Sequence, residues 1–296
     1  EECIRAPYFA KDAAAKTARR KLIGVGSDVQ QMLIGDAIGD AFGFVIEMQD
    51  ASWIREKVTS FTEYPSSAGA RDLHNIVPGF YSDDCEMTVA LMKALVADGV
   101  GIDAAGMLRF WKDEWDLSAT RPLPALQGAG RRGHGSIKKF WRGEMTLEEV
   151  QQMQAKKVVP GNAPPMRSLA LGFVADASAR ERLCTINADA THPHPKTRAA
   201  SFLVATACRF LVIEKRAKDK VLVESRQALE NSALKEQDTL EHLKKLEKLP
   251  DYHDYGERLR NMPDDVHALI CGPQPCPEML HCKVGEPGDW ERGRRM

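Results

Sequence analysis

Ser82, Asp83 and Asp84 place one hydroxyl and two carboxylates side by side, where a run of apolar residues with helical spacing begins. Side chains of a first helical turn project close together, so these oxygens can converge on one cation. Mg²⁺ prefers oxygen ligands and usually keeps several waters, so the motif predicts half of a magnesium site. A serine N-cap followed by acids is also ordinary helix chemistry, because carboxylates are favourable at the positive end of the helix dipole. The motif alone leaves both interpretations open.

A second group of chemically active residues lies upstream. Gly35, Gly39 and Gly43 sit four residues apart, which on a helix forms a stripe without side chains that allows close packing of another backbone. Asp36 and Asp40 have the same spacing on a neighbouring face, and the simplest interpretation is a pair of solvated acids. Glu47 follows an apolar segment, so burial could raise its pKa and make it a catalytic acid or base.

Three loops carry further candidates. The glycine-rich loop of residues 127–136 could present backbone amides to an anion, although a flexible connector explains it equally well. Gly161, Asn162 and Ala163 open another helix, and a plain turn is the alternative there. His192 and His194 alternate with prolines. They have no evident third metal ligand, so a hydrogen bond to a backbone or ligand oxygen is the favoured role.

Helical periodicity extends over most of the chain, and strand patterns are short and rare, so we predict an all-α protein. The expected helices are Val29–Phe44, Asp83–Asp98, Asp103–Trp115, Thr146–Ala155, Met166–Ala177, Ala199–Lys215 and one long surface helix from Lys220 to Lys248. The domain is expected to span residues 27–272, between an N-terminal extension of residues 1–26 and a disordered tail of residues 273–296.

Composition excludes several classes of function. With 41 basic and 42 acidic residues among 296, the chain has no charge excess that would attract nucleic acid or a membrane surface. No run of about 18 apolar residues occurs, so we expect no transmembrane helix. The seven cysteines contain no Cys-x-x-Cys pair, which indicates a reducing, cytoplasmic location. The Ala-rich, basic segment of residues 1–20 leaves an organelle-targeting signal as the alternative.

Taken together in this order, the motifs resemble those of the ADP-ribosylglycohydrolase superfamily, which includes crystallin-like and selenoprotein J-like members. The resemblance runs from about Leu33 to Cys271. It rests on residues 35–43 with Glu47, on residues 81–84, on Gly161-Asn162 with Met166-Arg167 and Leu171-Gly172, and on Thr191-His192. It implies a compact, single-domain orthogonal helical bundle with two Mg²⁺ ions in a central cleft.

The resemblance also implies roles for individual residues. Ser82, Asp83 and Asp84 would hold half of the metal site, and the two aspartates with Glu47 would serve catalysis. Gly161, Asn162 and Ala163 would cradle the diphosphate of ADP-ribose, and His192 would line the same pocket. The implied activity is Mg²⁺-dependent hydrolysis of ADP-ribosyl glycosidic linkages, with ADP-ribose or an ADP-ribosylated molecule as the partner.

The chain departs from the family pattern at three points. Cys85 replaces a threonine, and Ala163-Pro164 replaces small flexible residues, so that Pro164 removes a backbone N–H. The family's second metal motif, Asp-x-Asp followed by Thr or Ser, occurs nowhere in the sequence. We therefore expect a bundle that is incomplete at its C-terminal end, at most one weakly held cation and little hydrolysis. The alternative is a non-catalytic relative, either an ADP-ribose-binding module or a crystallin-like structural protein.

Overall fold

A computed structural model describes residues 26–46, 51–58, 63–66, 79–119, 135–156 and 161–248. These residues contain helices and turns but no strand, which confirms the all-α prediction. The α-helices are α1 (Gly26–Ile46), α2 (Ala51–Lys57), α3 (Asp83–Asp98), α4 (Ala104–Ala119), α5 (Gly135–Trp141), α6 (Leu147–Ala155), α7 (Ala163–Met166), α8 (Ala177–Asp189), α9 (Pro195–Cys208), α10 (Val221–Glu230) and α11 (Gln237–Leu246). The 3₁₀ helices Gly99–Gly101 and Ser168–Phe173 and a π-helical turn, Arg209–Ile213, complete them.

Helix α3 has the predicted bounds, and its local chemistry explains why. Ser82 is the N-cap, and its hydroxyl accepts a hydrogen bond from the Asp84 N–H at 3.2 Å. Gly99 ends the helix with a positive φ of 67°, a conformation that glycine adopts without strain. Between them the apolar residues at helical spacing are buried, including Met87, Leu91 and Leu95. The N-cap interpretation of Ser82 is therefore confirmed.

Two other helices begin within one residue of their predicted starts, and each start has a side-chain cap. The Asp103 carboxylate accepts a hydrogen bond from the Gly106 N–H at 2.7 Å, just ahead of α4. Thr146 forms a reciprocal capping box with Glu149 at the start of α6, with distances of 3.2 and 2.7 Å.

The predicted helix Met166–Ala177 is wrong. The chain instead forms the single turn α7, followed by the 3₁₀ helix Ser168–Phe173 and an extended residue at Val174. Pro164 and Pro165 fit the first turn because backbone N–H groups there have no acceptor within the helix, so their absence costs no hydrogen bond. The Ser168 hydroxyl donates to the Pro164 carbonyl at 2.6 Å and so fixes the change from one helix type to the other.

The single long helix predicted from Lys220 to Lys248 is also wrong, because side chains end it and restart it. The Ser232 hydroxyl donates to the Leu229 carbonyl at 2.9 Å and accepts from the Leu234 N–H at 3.1 Å, which closes α10. The Glu236 carboxylate then accepts from the Thr239 N–H at 2.8 Å and opens α11. Neither helix is purely a surface element, since each buries part of its apolar stripe.

Helix α9 begins earlier than expected, and α5 and α8 were not predicted. Pro195 starts α9 after His194, whose Nδ1 accepts from the Lys196 N–H at 3.1 Å. Asp176 caps α8 through the Ala179 N–H at 2.6 Å. An aspartate before the Ala-rich run of α8 was a readable start signal.

Cα proximity divides the chain into two compact units. The first comprises residues 1–40 and 81–240, and the second comprises residues 41–80 and 241–296. Within the first unit, α9 packs against α7, α8, α10 and the 3₁₀ helix Ser168–Phe173. Helix α3 packs against α4. The candidate site residues that the structure describes all belong to this first unit.

The predicted close packing at the glycine stripe is not observed. Among the described residues, nothing lies within 4 Å of a Cβ added at Gly35, Gly39 or Gly43. The close backbone approach lies instead at Gly172, where an added Cβ would meet the Ala205 carbonyl oxygen at 2.7 Å and the Arg209 nitrogen at 3.0 Å.

This contrast gives a matched pair of substitutions. Gly172→Ala should lower the free energy of unfolding by about 1–2 kcal/mol, because its methyl group overlaps backbone atoms that cannot rotate away. Gly35→Ala should raise it by about 0.5–1 kcal/mol, because the methyl group meets open space in a helix interior. Urea denaturation of both variants measures the difference, and equal effects would contradict the close approach at Gly172.

Among the described residues, one helical segment, Asp28–Ile46, is long and apolar enough to cross a membrane, a property that core helices of soluble proteins and signal sequences share. Hydrogen bonds from Ser82 and Cys85 to Asp40 tie this segment to α3. Residues 1–25, Glu47, the loop of residues 127–134, the predicted boundary at residue 272 and the predicted tail lie outside the described residues.

Candidate functional site

The N-terminus of α3 is held by a carboxylate from α1. Asp40 Oδ2 accepts from the backbone N–H of Ser82 at 2.8 Å and of Cys85 at 3.1 Å, while Asp40 Oδ1 accepts from the Ser82 hydroxyl at 2.7 Å. Burial raises the pKa of Asp40, and these hydrogen bonds oppose that rise. The interpretation of Asp40 as a solvated acid is therefore wrong, because it caps a helix 42 residues away in sequence.

The Ser82 hydroxyl stands between two carboxylates. Its oxygen lies 2.7 Å from Asp40 Oδ1 and 2.8 Å from Asp84 Oδ2, and it also accepts from the Asp84 N–H. A hydroxyl has one proton to donate, so the second carboxylate contact requires a proton on a carboxyl group or a cation between the oxygens. Burial raises the pKa of Asp40, which favours a proton on that carboxyl group.

Asp36 and Cys85 lie beside this group and are also desolvated. Burial raises the pKa of Asp36 to about 6, against hydrogen bonds from Thr88 and Cys85 that lower it. Its Oδ2 is buried and has no hydrogen-bond partner among the described residues. Burial and the neighbouring acids raise the pKa of the Cys85 thiol, so this side chain stays protonated and is no nucleophile at neutral pH.

The structure brings the predicted loop residue Gly161 and His192 together. A Cβ added at Gly161 would lie 3.0 Å from His192 Nε2, so glycine is what lets the loop approach the ring. Gly161 and Asn162 are exposed, Ala163 is buried at the start of α7, and His192 is buried with 7% of its surface accessible. The Thr197 hydroxyl fixes the His192 carbonyl at 2.6 Å.

Behind His192 lies a buried cation that sequence reasoning did not assign to the site. Arg167 is 0% exposed, and its guanidinium donates to Asn187 Oδ1 at 2.6 Å, to the Asn187 carbonyl at 2.8 Å and to Thr191 Oγ1 at 2.8 Å. It stacks over the Trp111 ring at 3.9 Å from the centroid. Thr191 Oγ1 then lies 3.0 Å from His192 Nδ1.

Arg167 also connects the loop to the acidic motif. Burial lowers its pKa to about 9, so it remains cationic at neutral pH, and the charge of Asp83 opposes that shift. Asp83 is itself buried, at 4% exposed, and lies within electrostatic range of the Arg167 charge. One cation thus stabilises a residue of the acidic motif and orients the side chains behind the Gly161 loop.

Comparison with protein families matches residues 23–288 to the ADP-ribosylglycohydrolase family. The chain belongs to the ADP-ribosylglycohydrolase family. The matched span is wider at both ends than the resemblance seen in the motifs. No curated protein and no solved structure matches the chain.

The described residues do not by themselves fit the pair of Mg²⁺ ions that the resemblance of the motifs implies. No three His, Cys, Asp or Glu side chains gather within the described ranges in a group that could bind a metal ion. The Ser82 hydroxyl contacts Asp40 and Asp84, and the charge of Asp83 lies within electrostatic range of Arg167. Because the sequence also lacks an Asp-x-Asp pair, we derive no catalytic step through a metal ion.

The candidate residues thus fall into two groups. Ser82, Asp83 and Asp84 lie at the start of α3, as predicted, and Gly161 lies against His192, as predicted. Their roles as metal, catalytic and substrate-binding residues stay predictions. The sequence does not predict Arg167 as a site residue, although Met166-Arg167 is one of the motifs on which the family resemblance rests.

Proposed function

We propose that this chain binds ADP-ribose, free or attached to a modified molecule, and that it hydrolyses the glycosidic linkage only slowly. The observation that supports binding is the contact between Gly161 and His192, with His192 backed by the buried Arg167 and Thr191. Buried polar networks of this kind are costly unless their members are hydrogen-bonded, and Arg167, Thr191 and His192 bond to one another in sequence here. Family membership supplies the ligand class.

The chemistry of the loop suits the diphosphate of ADP-ribose. A ring nitrogen of His192 and the backbone at Gly161 and Asn162 offer hydrogen-bond donors, which a phosphate oxygen requires. Pro164 has no N–H, so the donors come from the residues before it and from His192.

Slow hydrolysis follows from the acidic motif. Two Mg²⁺ ions close together repel each other strongly unless several carboxylates offset their charge. Here the Ser82 hydroxyl contacts the carboxylates of Asp40 and Asp84, and the charge of Asp83 is attracted to Arg167, which leaves few ligands to hold a metal pair.

A second candidate is efficient Mg²⁺-dependent hydrolysis of an ADP-ribosyl linkage. The position of Ser82, Asp83 and Asp84 at the start of α3, with the Ser82 hydroxyl 2.8 Å from an Asp84 oxygen, favours it. The two candidates share the ligand and differ in turnover and in their dependence on Mg²⁺.

A thermal-shift experiment with ADP-ribose tests the proposal. A ligand at about 100 times its Kd stabilises the native state by about 2.7 kcal/mol, which should raise the Tm by roughly 5–10 °C. We expect this rise without Mg²⁺, and we expect Gly161→Val to abolish it, because the new side chain would take the space beside His192 Nε2. Gly35→Ala, which lies in open space, is the control and should respond as the wild-type chain does.

Turnover decides between the two candidates. The full chain is incubated with an ADP-ribosylated protein and with 10 mM Mg²⁺ or EDTA, and released ADP-ribose is quantified. Little release in both samples supports the proposal, and rapid release that requires Mg²⁺ supports the second candidate. No Tm shift with millimolar ADP-ribose, either without or with 10 mM Mg²⁺, would contradict both and would favour a structural relative.

A further inference from the structure

We propose that Thr191 is a positioning residue that fixes His192 as the tautomer protonated at Nε2, so that the Gly161 loop faces a hydrogen-bond donor. This inference rests on the proposed function only for the identity of the ligand that would accept the bond. The tautomer itself follows from contacts within the chain.

The Thr191 hydroxyl has a single proton, and its neighbours determine where that proton is donated. Its oxygen accepts from the Arg167 guanidinium at 2.8 Å and lies 3.0 Å from His192 Nδ1. Arg167 has donors only, so it always donates in this contact. The Thr191 proton must therefore go to a different acceptor, and His192 Nδ1 is within reach.

The neutral His192 ring has two tautomers, and the Thr191 contact distinguishes them. If Nδ1 were protonated, it would donate to Thr191, whose own proton would then lose this acceptor. Thr191 is 1% exposed, so water could not take that proton up. An unmade bond of a buried hydroxyl disfavours this tautomer by about tenfold or more. The cation at Arg167 adds to the preference, because it draws electron density from the Thr191 oxygen and strengthens its O–H as a donor.

The other ring nitrogen of His192, Nε2, faces the Gly161 loop. Backbone bonds hold the residue in place, since the His192 N–H donates to the Ala188 carbonyl at 2.7 Å and the Thr197 hydroxyl donates to the His192 carbonyl at 2.6 Å. With Nδ1 held by Thr191, Nε2 faces Gly161, at 3.0 Å from the position of an added Cβ. A proton at Nε2 therefore points toward the loop that the proposed function assigns to the diphosphate.

Two substitutions at Thr191 distinguish a positioning role of its hydroxyl from a packing role of its methyl group. Thr191→Val keeps the shape of the side chain and removes the hydroxyl, while Thr191→Ser keeps the hydroxyl and removes a methyl group. If Thr191 acts by packing, Thr191→Ser should have the larger effect, because it loses the methyl group. If Thr191 positions His192, Thr191→Val should have the larger effect, because it loses the hydroxyl.

Nitrogen-15 NMR of the full chain, labelled at histidine, tests the proposal without any ligand. The His192 signals are assigned by their loss in His192→Gln. At pH 8 we expect a protonated Nε2 and an unprotonated Nδ1 in the wild-type chain and in Thr191→Ser, and a mixture of tautomers in Thr191→Val. A wild-type ring protonated at Nδ1, or unchanged His192 signals in Thr191→Val, would overturn the proposal. If Thr191→Val does not fold, the wild-type and Thr191→Ser spectra still decide the tautomer.

ADP-ribose titration adds the functional arm. We expect Thr191→Val to weaken binding about tenfold and Thr191→Ser to change it by less than about twofold, since one directed hydrogen bond is at stake. Absence of binding to the wild-type chain would contradict the proposed function and leave the tautomer result standing. Equal affinities of wild type and Thr191→Val, with ADP-ribose bound by both, would contradict the positioning role alone.

Discussion

Replacing Arg167 with methionine is expected to lower the free energy of unfolding by about 3–5 kcal/mol, the effect of breaking one side of a buried ionic network. Arg167 is 0% exposed, and methionine would leave the oxygens of Asn187 and Thr191 buried without their donor. Asp83 would lose the attraction of this buried charge, and the stacking over Trp111 would be lost as well. Urea denaturation at pH 7.5 measures the change.

Arg109→Met is the matched control. Arg109 is exposed, pairs with Asp98 at 3.0 Å and lies over the Phe110 ring, so it also combines an ion pair with an aromatic contact. Solvent screens that pair, and its loss should cost less than about 1 kcal/mol. Arg167→Lys should recover only a small part of the lost stability. The lysine ammonium is a compact charge and cannot reproduce the three hydrogen bonds that the planar guanidinium donates. A loss below 1 kcal/mol in Arg167→Met would show that the network does not hold this unit together.

The fold could be predicted from the sequence where local signals agree. In α3 the N-cap serine, the spacing of apolar residues and the closing Gly99 all indicate one helix, and its bounds are confirmed. The region after Lys220 has helical composition throughout, and periodicity could not show the break. Ser232 and Glu236 interrupt it by bonding to nearby backbone groups, an effect that depends on rotamers and not on residue spacing.

The candidate site could be predicted only where one motif contains its own geometry. Ser82, Asp83 and Asp84 are neighbours in sequence and therefore neighbours in space. Asp40 and Arg167 owe their roles to contacts across 42 and 20 residues, and an aspartate or arginine with no readable partner is normally assigned to the surface. Only the fold shows that one is a helix cap and the other is a fully buried cation.

The pH dependence of stability is the second large expected effect, and it comes from Asp36. Burial raises the pKa of this carboxyl to about 6 in the folded chain, against 3.8 for an unperturbed aspartate. Between about pH 4 and pH 6 the unfolded chain has released this proton and the folded chain still holds it, so raising the pH favours unfolding. The contribution of Asp36 to stability thus falls across this window and is level above it. The shift corresponds to about 2–3 kcal/mol.

Asp36→Asn should remove this pH dependence, since an amide does not titrate in the window. We expect the difference in unfolding free energy between Asp36→Asn and the wild-type chain to move by about 2–3 kcal/mol in favour of the variant between pH 4 and pH 8. Comparing the two pH values cancels any constant cost of burying the amide, because that cost is the same at both. Asp98→Asn, at an exposed ion pair, is the control and should show a much smaller movement. A difference for Asp36→Asn that stays constant within 0.5 kcal/mol would mean that Asp36 ionises in the fold as freely as in water, and the acidic group beside α3 would then be open to solvent.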